Sequence, residues 1–110
     1  MKNIRFICTA NVDRSKTAEV FYTEKIPSLN FKSAGTNHEL CQKAGSNALT
    51  QKDIDWADMA LVMEPKHLNW IQTNLTIGKS IIEVLNIKDN YKYYSRELIE
   101  RLQRVCPRFF

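Results

Sequence analysis

The segment from Cys8 to Ser15 constrains the fold of this 110-residue chain more than any other feature of its sequence. It follows a short, largely apolar run, residues 4–7, and precedes a segment whose apolar residues recur at helical spacing. A strand that passes directly into a helix leaves the intervening backbone to curl, so that several N–H groups point into one bowl at the helix N-terminus. Such a bowl favours a tetrahedral dianion. The sequence therefore predicts a strand, a phosphate-binding loop and a helix in succession.

Three side chains of this segment fit phosphoryl chemistry. Cys8 lies near a helix N-terminus and an arginine, an environment that favours the nucleophilic thiolate over the thiol. Arg14 offers a planar fork of donors that can hold two oxygens of a phosphoryl group. Ser15 can donate a hydrogen bond to the sulfur and stabilise it as a leaving group. The alternative interpretation of Cys8 is a small buried hydrophobe, because a cysteine and an arginine at this spacing also occur by chance.

The rest of the chain alternates between strand and helix patterns. Strands are predicted at residues 3–8, 29–33, 59–63 and 80–85, and helices at 14–26, 50–56, 65–75 and from 95 onward. Pro27 is expected to end the first helix, and Ser95 to cap the last one. Alternation of this kind gives right-handed crossovers and a parallel sheet. The expected fold is a single three-layer α/β domain, residues 1–110, with a four-stranded parallel sheet between helices.

Composition limits the possible partners and compartments. The net charge of +4 is spread along the chain without a nucleic-acid-binding motif, so we expect a solvated surface and no nucleic acid. No stretch approaches the roughly 18 apolar residues of a membrane span, and the N-terminus carries no long hydrophobic region, which favours a cytoplasmic protein without membrane contact. The three cysteines lack the spacing of a disulfide framework or a metal site, so neither is predicted.

Several conspicuous side chains are expected to have structural or surface positions. We predict that His38 and His67 lie on the surface, because neither has a cysteine or carboxylate pattern that would give it a role. Cys41 and Cys106 are expected to be structural. Both tryptophans fall on apolar positions of predicted helices and are expected in the core or partly at the surface.

A second part of the site is predicted far along the chain. In open parallel sheets, ligands bind beyond the carboxyl ends of the strands. The loop after the first strand contains Cys8, and the loop after the fourth contains Asp89. Cleavage of a phosphate ester needs a proton for the leaving oxygen, and a carboxyl group can supply it. The alternative is a loop-capping aspartate, because Asp89-Asn90 is also a turn pair.

These motifs together resemble the low-molecular-weight protein tyrosine phosphatases, most closely their short bacterial branch. That family shares its fold with thioredoxin-coupled arsenate reductases. The resemblance covers nearly the whole chain and is carried by the segments Cys8–Glu19, Ser33–Thr36, Asp53–Asp58, Val62–Glu64, Leu85–Tyr91 and Glu97–Ile99. Each later segment is weak alone, whereas their order and spacing make the match specific.

The resemblance implies an enzyme without cofactor or metal that hydrolyses phosphotyrosine or a related phosphomonoester through a phosphocysteine. Cys8 would be the nucleophile, Arg14 the phosphate clamp and Asp89 the general acid and base. The residues expected to bind substrate are Thr9, Ala10, Asn11, Val12, Asp13, Ser15 and Tyr91. Partners would be a phosphorylated protein or a small phosphomonoester, with inorganic phosphate or sulfate in the loop.

Other implied roles are less direct. Asn11 would brace the loop through a left-handed backbone and its side-chain amide. Ser33 could hydrogen-bond that brace, or it could equally satisfy its own backbone at the strand end. Tyr91 and Tyr93 would wall the mouth and pack on an aromatic substrate ring, although they can equally cover the edge of the core.

Two residues depart from the family pattern inside the loop. Ala10 replaces a common glycine. Asp13 replaces an uncharged residue, and its carboxylate should disfavour the thiolate and the bound dianion unless it points outward or pairs with Arg14 or Lys16. This departure leaves open a weak or inactive phosphate-binding module of the same fold. An arsenate reductase ranks last, because no cysteine between residues 64 and 79 can relay a disulfide.

Overall fold

A four-stranded parallel sheet forms the centre of the molecule in a computed structural model, which describes residues 2–110. The strands are β1 (Asn3–Cys8), β2 (Asn30–Gly35), β3 (Met59–Val62) and β4 (Ile81–Val84), in the spatial order β2-β1-β3-β4. All neighbouring strands run parallel, so their carboxyl ends share one edge of the sheet. The predicted fold class is confirmed.

Helices join consecutive strands and cover both faces of the sheet. They are α1 (Arg14–Lys25), α2 (His38–Ala44), α3 (Gln51–Trp56), α4 (Pro65–Asn74) and α5 (Arg96–Val105), followed by a 3₁₀ turn at Pro107–Phe109. The start of α3 has a capping box formed by Thr50 and Asp53. Ser95 caps α5, as predicted, by accepting from the Leu98 N–H at 3.4 Å. None of the helices within residues 2–110 is long and apolar enough to cross a membrane.

Helix α2 is the element that the sequence patterns did not predict. Its only buried residue is Cys41, so it lacks the apolar stripe that marks a core-facing helix. Its ends nevertheless carry ordinary signals. The Asn37 side chain accepts a hydrogen bond from the Leu40 N–H at 3.1 Å, and Gly45 ends the helix with a left-handed φ of 68°. Caps, rather than hydrophobic periodicity, define this short helix.

The alternation of side chains along the strands divides the core into two layers. Ile4, Phe6 and Cys8 of β1 face α1 and α5, where Tyr22 and Phe31 stack near the Phe6 ring. Ile7 faces the opposite layer, which contains residues of α3 and α4. Burial of each large apolar side chain contributes about 1.5–3 kcal/mol. The strand that ends at Cys8 is therefore fixed from both sides before the loop begins.

Candidate active site

The loop at residues 9–13 links the end of β1 to the start of α1 and surrounds the sulfur of Cys8. Cys8 is 3% exposed. Its Sγ lies 2.9 Å from Ser15 Oγ and 3.3 Å from the backbone nitrogen of Asn11, which donates to it. The structure thus brings Ser15 to the sulfur, as the sequence predicted.

Asn11 braces this loop from within. Its backbone has the predicted left-handed conformation, with φ of 55°, and its side chain is buried. The side-chain amide donates to Ser15 Oγ at 2.8 Å, and its carbonyl oxygen accepts from the Asn47 N–H at 3.1 Å. Because the Ser15 oxygen accepts from Asn11, the Ser15 hydroxyl proton is available for the sulfur.

The outer side of the loop is held by the segment that follows β2. The carbonyls of Cys8 and Thr9 accept from the N–H groups of Thr36 and Asn37 at 2.9 and 3.0 Å. Gly35 permits this close approach, because a Cβ at that position would lie 2.5 Å from the Thr9 carbonyl oxygen. With these carbonyls bonded outward, the loop curls around the sulfur.

Arg14 is fixed along one side of its guanidinium. The residue is 1% exposed, and its Nη1 donates to Glu64 at 2.5 Å and to the Ile87 carbonyl at 2.7 Å. The other side, Nε and Nη2, lies 3.7 Å from Asp89 and 3.5 Å from Thr9 Oγ1. Burial acts to raise the pKa of Glu64, but the hydrogen bond and charge of Arg14 outweigh it, so the pKa of Glu64 is lowered. Glu64 therefore stays ionised and anchors Arg14.

His67 is buried, and its predicted surface position is wrong. It is 1% exposed, its Nδ1 accepts from the Glu64 N–H at 3.0 Å, and its Nε2 lies 2.9 Å from Thr9 Oγ1. With Nδ1 accepting, the neutral ring carries its proton on Nε2 and donates it to Thr9. Burial, reinforced by the charge of Arg14, lowers the pKa of His67 to about 4. His67 thus connects two residues that contact Arg14.

Asp89 and the loop after Cys8 line the same cavity, although they are far apart in the sequence. The cavity has a volume of about 100 Å³ and is lined by Cys8, Thr9, Ala10, Val12, Asp13, Arg14, Leu40 and Asp89. The Asp89 side chain is 62% exposed, in contrast to Arg14. Leu40 of α2 is a lining residue that the sequence patterns did not single out. The expected convergence of the loops after β1 and β4 is present in the structure.

Asp13 lies in this cavity lining, and its carboxylate forms no ion pair with any residue that the structure describes. A pairing with Arg14 or Lys16 was one of the ways in which its charge could be offset, but Lys16 pairs with Glu19 at 3.4 Å. Asp13 is the residue before α1, and its side chain makes no capping hydrogen bond, while its carbonyl accepts from the Thr17 N–H. The one-turn spacing of Lys16 and Glu19 on α1 favours their pairing. The Asp13 carboxylate therefore adds uncompensated negative charge near the loop.

Ser33 has a different partner from the one that the resemblance implied, and Tyr91 takes the core-edge position that the sequence left open. Ser33 does not bond to Asn11; its hydroxyl donates to Glu19 at 2.6 Å, because the carboxylate of α1 is the stronger acceptor within its reach. Tyr91 packs at the edge of the layer formed with α1 and α5, and it is not among the residues that line the cavity at Cys8. Burial of its ring against apolar neighbours explains this position. Tyr93 is also outside that lining and is 48% exposed.

Cys41 and Cys106 are buried free thiols. The Cys41 sulfur packs 3.8 Å from the Thr9 carbonyl oxygen, behind the loop, and burial raises the pKa of its thiol. Across residues 2–110, no group of three His, Cys, Asp or Glu side chains could hold a metal ion.

The sequence matches no protein-family model and no curated protein. The fold, in contrast, matches solved structures. The tyrosine phosphatase Wzb from Escherichia coli K30, solved in complex with phosphate, is 24% identical, with a TM-score of 0.73 over 98% of this chain and 95% of that one. A low-molecular-weight protein tyrosine phosphatase from T. tengcongensis is 18% identical, with a TM-score of 0.73 over 96% and 92% of the two chains.

A third solved structure extends the comparison. Vibrio vulnificus Wzb in complex with benzylphosphonate is 21% identical, with a TM-score of 0.71 over 94% of this chain and 91% of that chain. The three matches cover between 94% and 98% of this chain. The chain therefore has the fold of the low-molecular-weight protein tyrosine phosphatases.

Proposed function

We propose that this protein hydrolyses phosphotyrosine or a related phosphomonoester through a phosphocysteine intermediate. The phosphoryl group would occupy the cavity at Cys8, where the loop N–H groups and Arg14 supply donors. The solved structures of the same fold with phosphate and benzylphosphonate support an occupant of this class. The observation that carries the proposal is the meeting of Cys8, Arg14 and Asp89 at one cavity of about 100 Å³.

In the first step, the Cys8 thiolate attacks phosphorus while the bond from phosphorus to the leaving oxygen breaks. Asp89 gives its proton to that oxygen. The Nε and Nη2 side of Arg14 faces Asp89 and Thr9, so it is the side available to two phosphoryl oxygens. Glu64 and the Ile87 carbonyl hold the opposite side, which fixes the guanidinium before substrate binds.

In the second step, Asp89 as carboxylate takes a proton from water, which attacks the phosphorus of the phosphocysteine. The bond from sulfur to phosphorus breaks, and inorganic phosphate leaves. The departing sulfur is stabilised by the hydroxyl of Ser15 at 2.9 Å and by the Asn11 N–H at 3.3 Å. These donors already contact the sulfur, so they need little reorganisation as it leaves.

Release of nitrophenol from p-nitrophenyl phosphate tests this proposal. We expect turnover by the wild-type protein in the presence of EDTA, and loss of turnover in Cys8→Ser, because serine lacks the acidic thiol. The matched control is Cys41→Ser, which makes the same change in a buried cysteine outside the cavity lining. Equal turnover by wild-type protein and Cys8→Ser would overturn the proposal.

A phosphate-binding module with little or no turnover is the second candidate. Asp13 favours it, because this carboxylate lines the cavity and Lys16 is paired elsewhere. Negative charge beside the bowl opposes both the thiolate and the dianion. The module predicts phosphate binding by the wild-type protein, measured by calorimetry, together with no nitrophenol release. Turnover that depends on Cys8 would exclude it.

A further inference from the structure

A second cavity lies beside the one at Cys8. This groove, about 470 Å³ in volume, is lined by Thr9, Thr36, Asn37, His38, Lys66 and Trp70. We refer to it as the Trp70 groove. Its residues follow the carboxyl ends of three strands, so it opens at the same sheet edge as the candidate active site. Thr9 lines both cavities.

One wall of the Trp70 groove is aromatic and fixed. The ring centroids of His38 and Trp70 are 5.5 Å apart. His38 Nε2 lies 2.8 Å from the Leu49 carbonyl and donates to it, which sets the orientation of the imidazole. A rigid aromatic wall contributes contact area at a low entropy cost.

The other feature of the Trp70 groove is its positive charge. Lys66 lines it, and none of its lining residues carries a carboxylate. The nearest carboxylate partner of Lys66 is Glu64 at 3.8 Å, and Glu64 already binds the buried guanidinium of Arg14 at 2.5 Å. The Lys66 side chain is 61% exposed, so a ligand can reach it. The groove therefore offers a cation to an acidic group.

The cavity at Cys8 is too small to hold a whole substrate molecule that is larger than a phosphoryl group and its nearest atoms. A volume of about 100 Å³ admits a phosphoryl group and a small part of the group that bears it. The remainder of a larger substrate must continue along the surface. On the Thr9 side of the cavity, the Trp70 groove is the continuation.

We infer that the Trp70 groove binds an acidic residue that flanks the phosphorylated residue of a protein substrate. This inference rests on the proposed function, and it selects a phosphoprotein over a small phosphomonoester. The acidic side chain would pair with Lys66, and the adjoining peptide would lie over the Trp70 ring. An exposed ion pair of this kind changes affinity by about two- to fivefold.

The test compares two phosphotyrosine peptides that differ only in the flanking residues, which are glutamate in one and lysine in the other. Their Kd values are measured by fluorescence anisotropy on Cys8→Ser, which prevents turnover, and on the same variant with Lys66→Glu. We expect Cys8→Ser to bind the acidic peptide about threefold more tightly. Charge reversal at Lys66 should abolish or invert that ratio. The unphosphorylated acidic peptide should bind far more weakly, because the loop then has no phosphoryl group.

The matched control is Lys25→Glu in the same background. Lys25 lies at the end of α1 that is distant from the loop, so this variant makes the same change in net charge away from the Trp70 groove. It should keep the preference for the acidic peptide. An equal ratio in the Lys66→Glu and Lys25→Glu variants would overturn the inference, as would the absence of phosphopeptide binding by Cys8→Ser. Catalysis is measured separately, by nitrophenol release from the wild-type protein. The peptide Kd values therefore test the Trp70 groove, and nitrophenol release tests the proposed function.

Discussion

The loop around Cys8 and the loop around Asp89 meet at one cavity, but different kinds of contact hold them there. Asn11, Arg14 and Ser15 are at most 2% exposed and bond to one another or to neighbouring segments. The Asp89 side chain is 62% exposed and lies 3.7 Å from Arg14 Nε. Farther along its loop, the Tyr94 N–H donates to Thr17 Oγ1 at 2.8 Å.

This difference matches what each half of the site would have to do. The charge on a transferring phosphoryl group is the same for every substrate, so a rigid bowl of donors serves all of them. Leaving groups differ in size and basicity, so an acid whose position can adjust to each of them would be an advantage. We interpret the Cys8 loop as the preorganised half and the Asp89 loop as the adaptable half.

Removal of the acid should cause the largest kinetic effect and should depend on the substrate. We expect Asp89→Asn to lower kcat/KM, which reports the first step without hydrolysis of the shared phosphocysteine, by about 10³-fold for phenyl phosphate. The loss should be much smaller for p-nitrophenyl phosphate, whose leaving oxygen needs little protonation. Steady-state kinetics on both esters measures this. Asp55→Asn, the same change at an exposed position of α3, is the control. Equal losses for the two esters would remove Asp89 from the acid role.

A substitution in the Cys8 loop, the preorganised half, should lower kcat equally for esters with different leaving groups. Asn11→Ala removes the bonds to Ser15 and to the Asn47 N–H, and it places alanine in a left-handed conformation. We expect kcat to fall by about 10²-fold for both esters, because the donors around the sulfur move. Asn30→Ala, at the opposite edge of the sheet, is the control. A loss confined to phenyl phosphate would contradict the division of labour between the two loops.

The buried His67 should make the stability of the folded protein depend on pH. The pKa of His67 is lowered from 6.5 to about 4, so between these values the unfolded chain binds the proton and the folded chain does not. Stability is therefore full above about pH 6.5 and declines as the pH falls toward 4, by on the order of 2 kcal/mol from this group. Urea unfolding of His67→Asn should show a flatter decline over this range. His38→Asn is the control for loss of a histidine, and an equal decline in wild-type protein and His67→Asn would contradict the assignment.

The smallest expected effect concerns the carboxylate inside the loop. Asp13→Asn should raise the affinity for inorganic phosphate by about threefold at low ionic strength, and less at high salt. Calorimetric titration measures this change. Glu24→Gln, near the far end of α1, is the control for loss of one negative charge. An unchanged affinity would mean that the Asp13 charge does not reach the bound anion.

Local patterns predicted most of the fold because neighbouring residues define it. The run before Cys8 and the spacing of Ala18 and Tyr22 mark β1 and α1, and caps at Thr50 and Ser95 mark two later helices. The convergence of Asp89 with Cys8 followed from the parallel topology alone. These inferences use short-range signals and one rule of sheet architecture.

The errors arose where partners come from distant segments. His67 Nδ1 accepts from the Glu64 N–H three residues earlier, which is a local capping pattern, but its Nε2 bonds to Thr9 of another loop, which no local pattern indicates. The resemblance allowed Ser33 to bond to Asn11, but its hydroxyl donates to Glu19 of α1. For Tyr91 the sequence left two positions open, the mouth of the site and the edge of the core, and its ring packs against the core. Such choices depend on three-dimensional packing, which sequence periodicity does not contain.

Detection of phosphocysteine tests the central claim most directly. The wild-type protein is mixed with p-nitrophenyl phosphate, quenched in denaturant during turnover, digested and examined by mass spectrometry. We predict one added phosphoryl group on the peptide that contains Cys8, located on its sulfur. Turnover with the phosphoryl group on another residue, or with no covalent phosphoryl group at any quench time, would contradict the account.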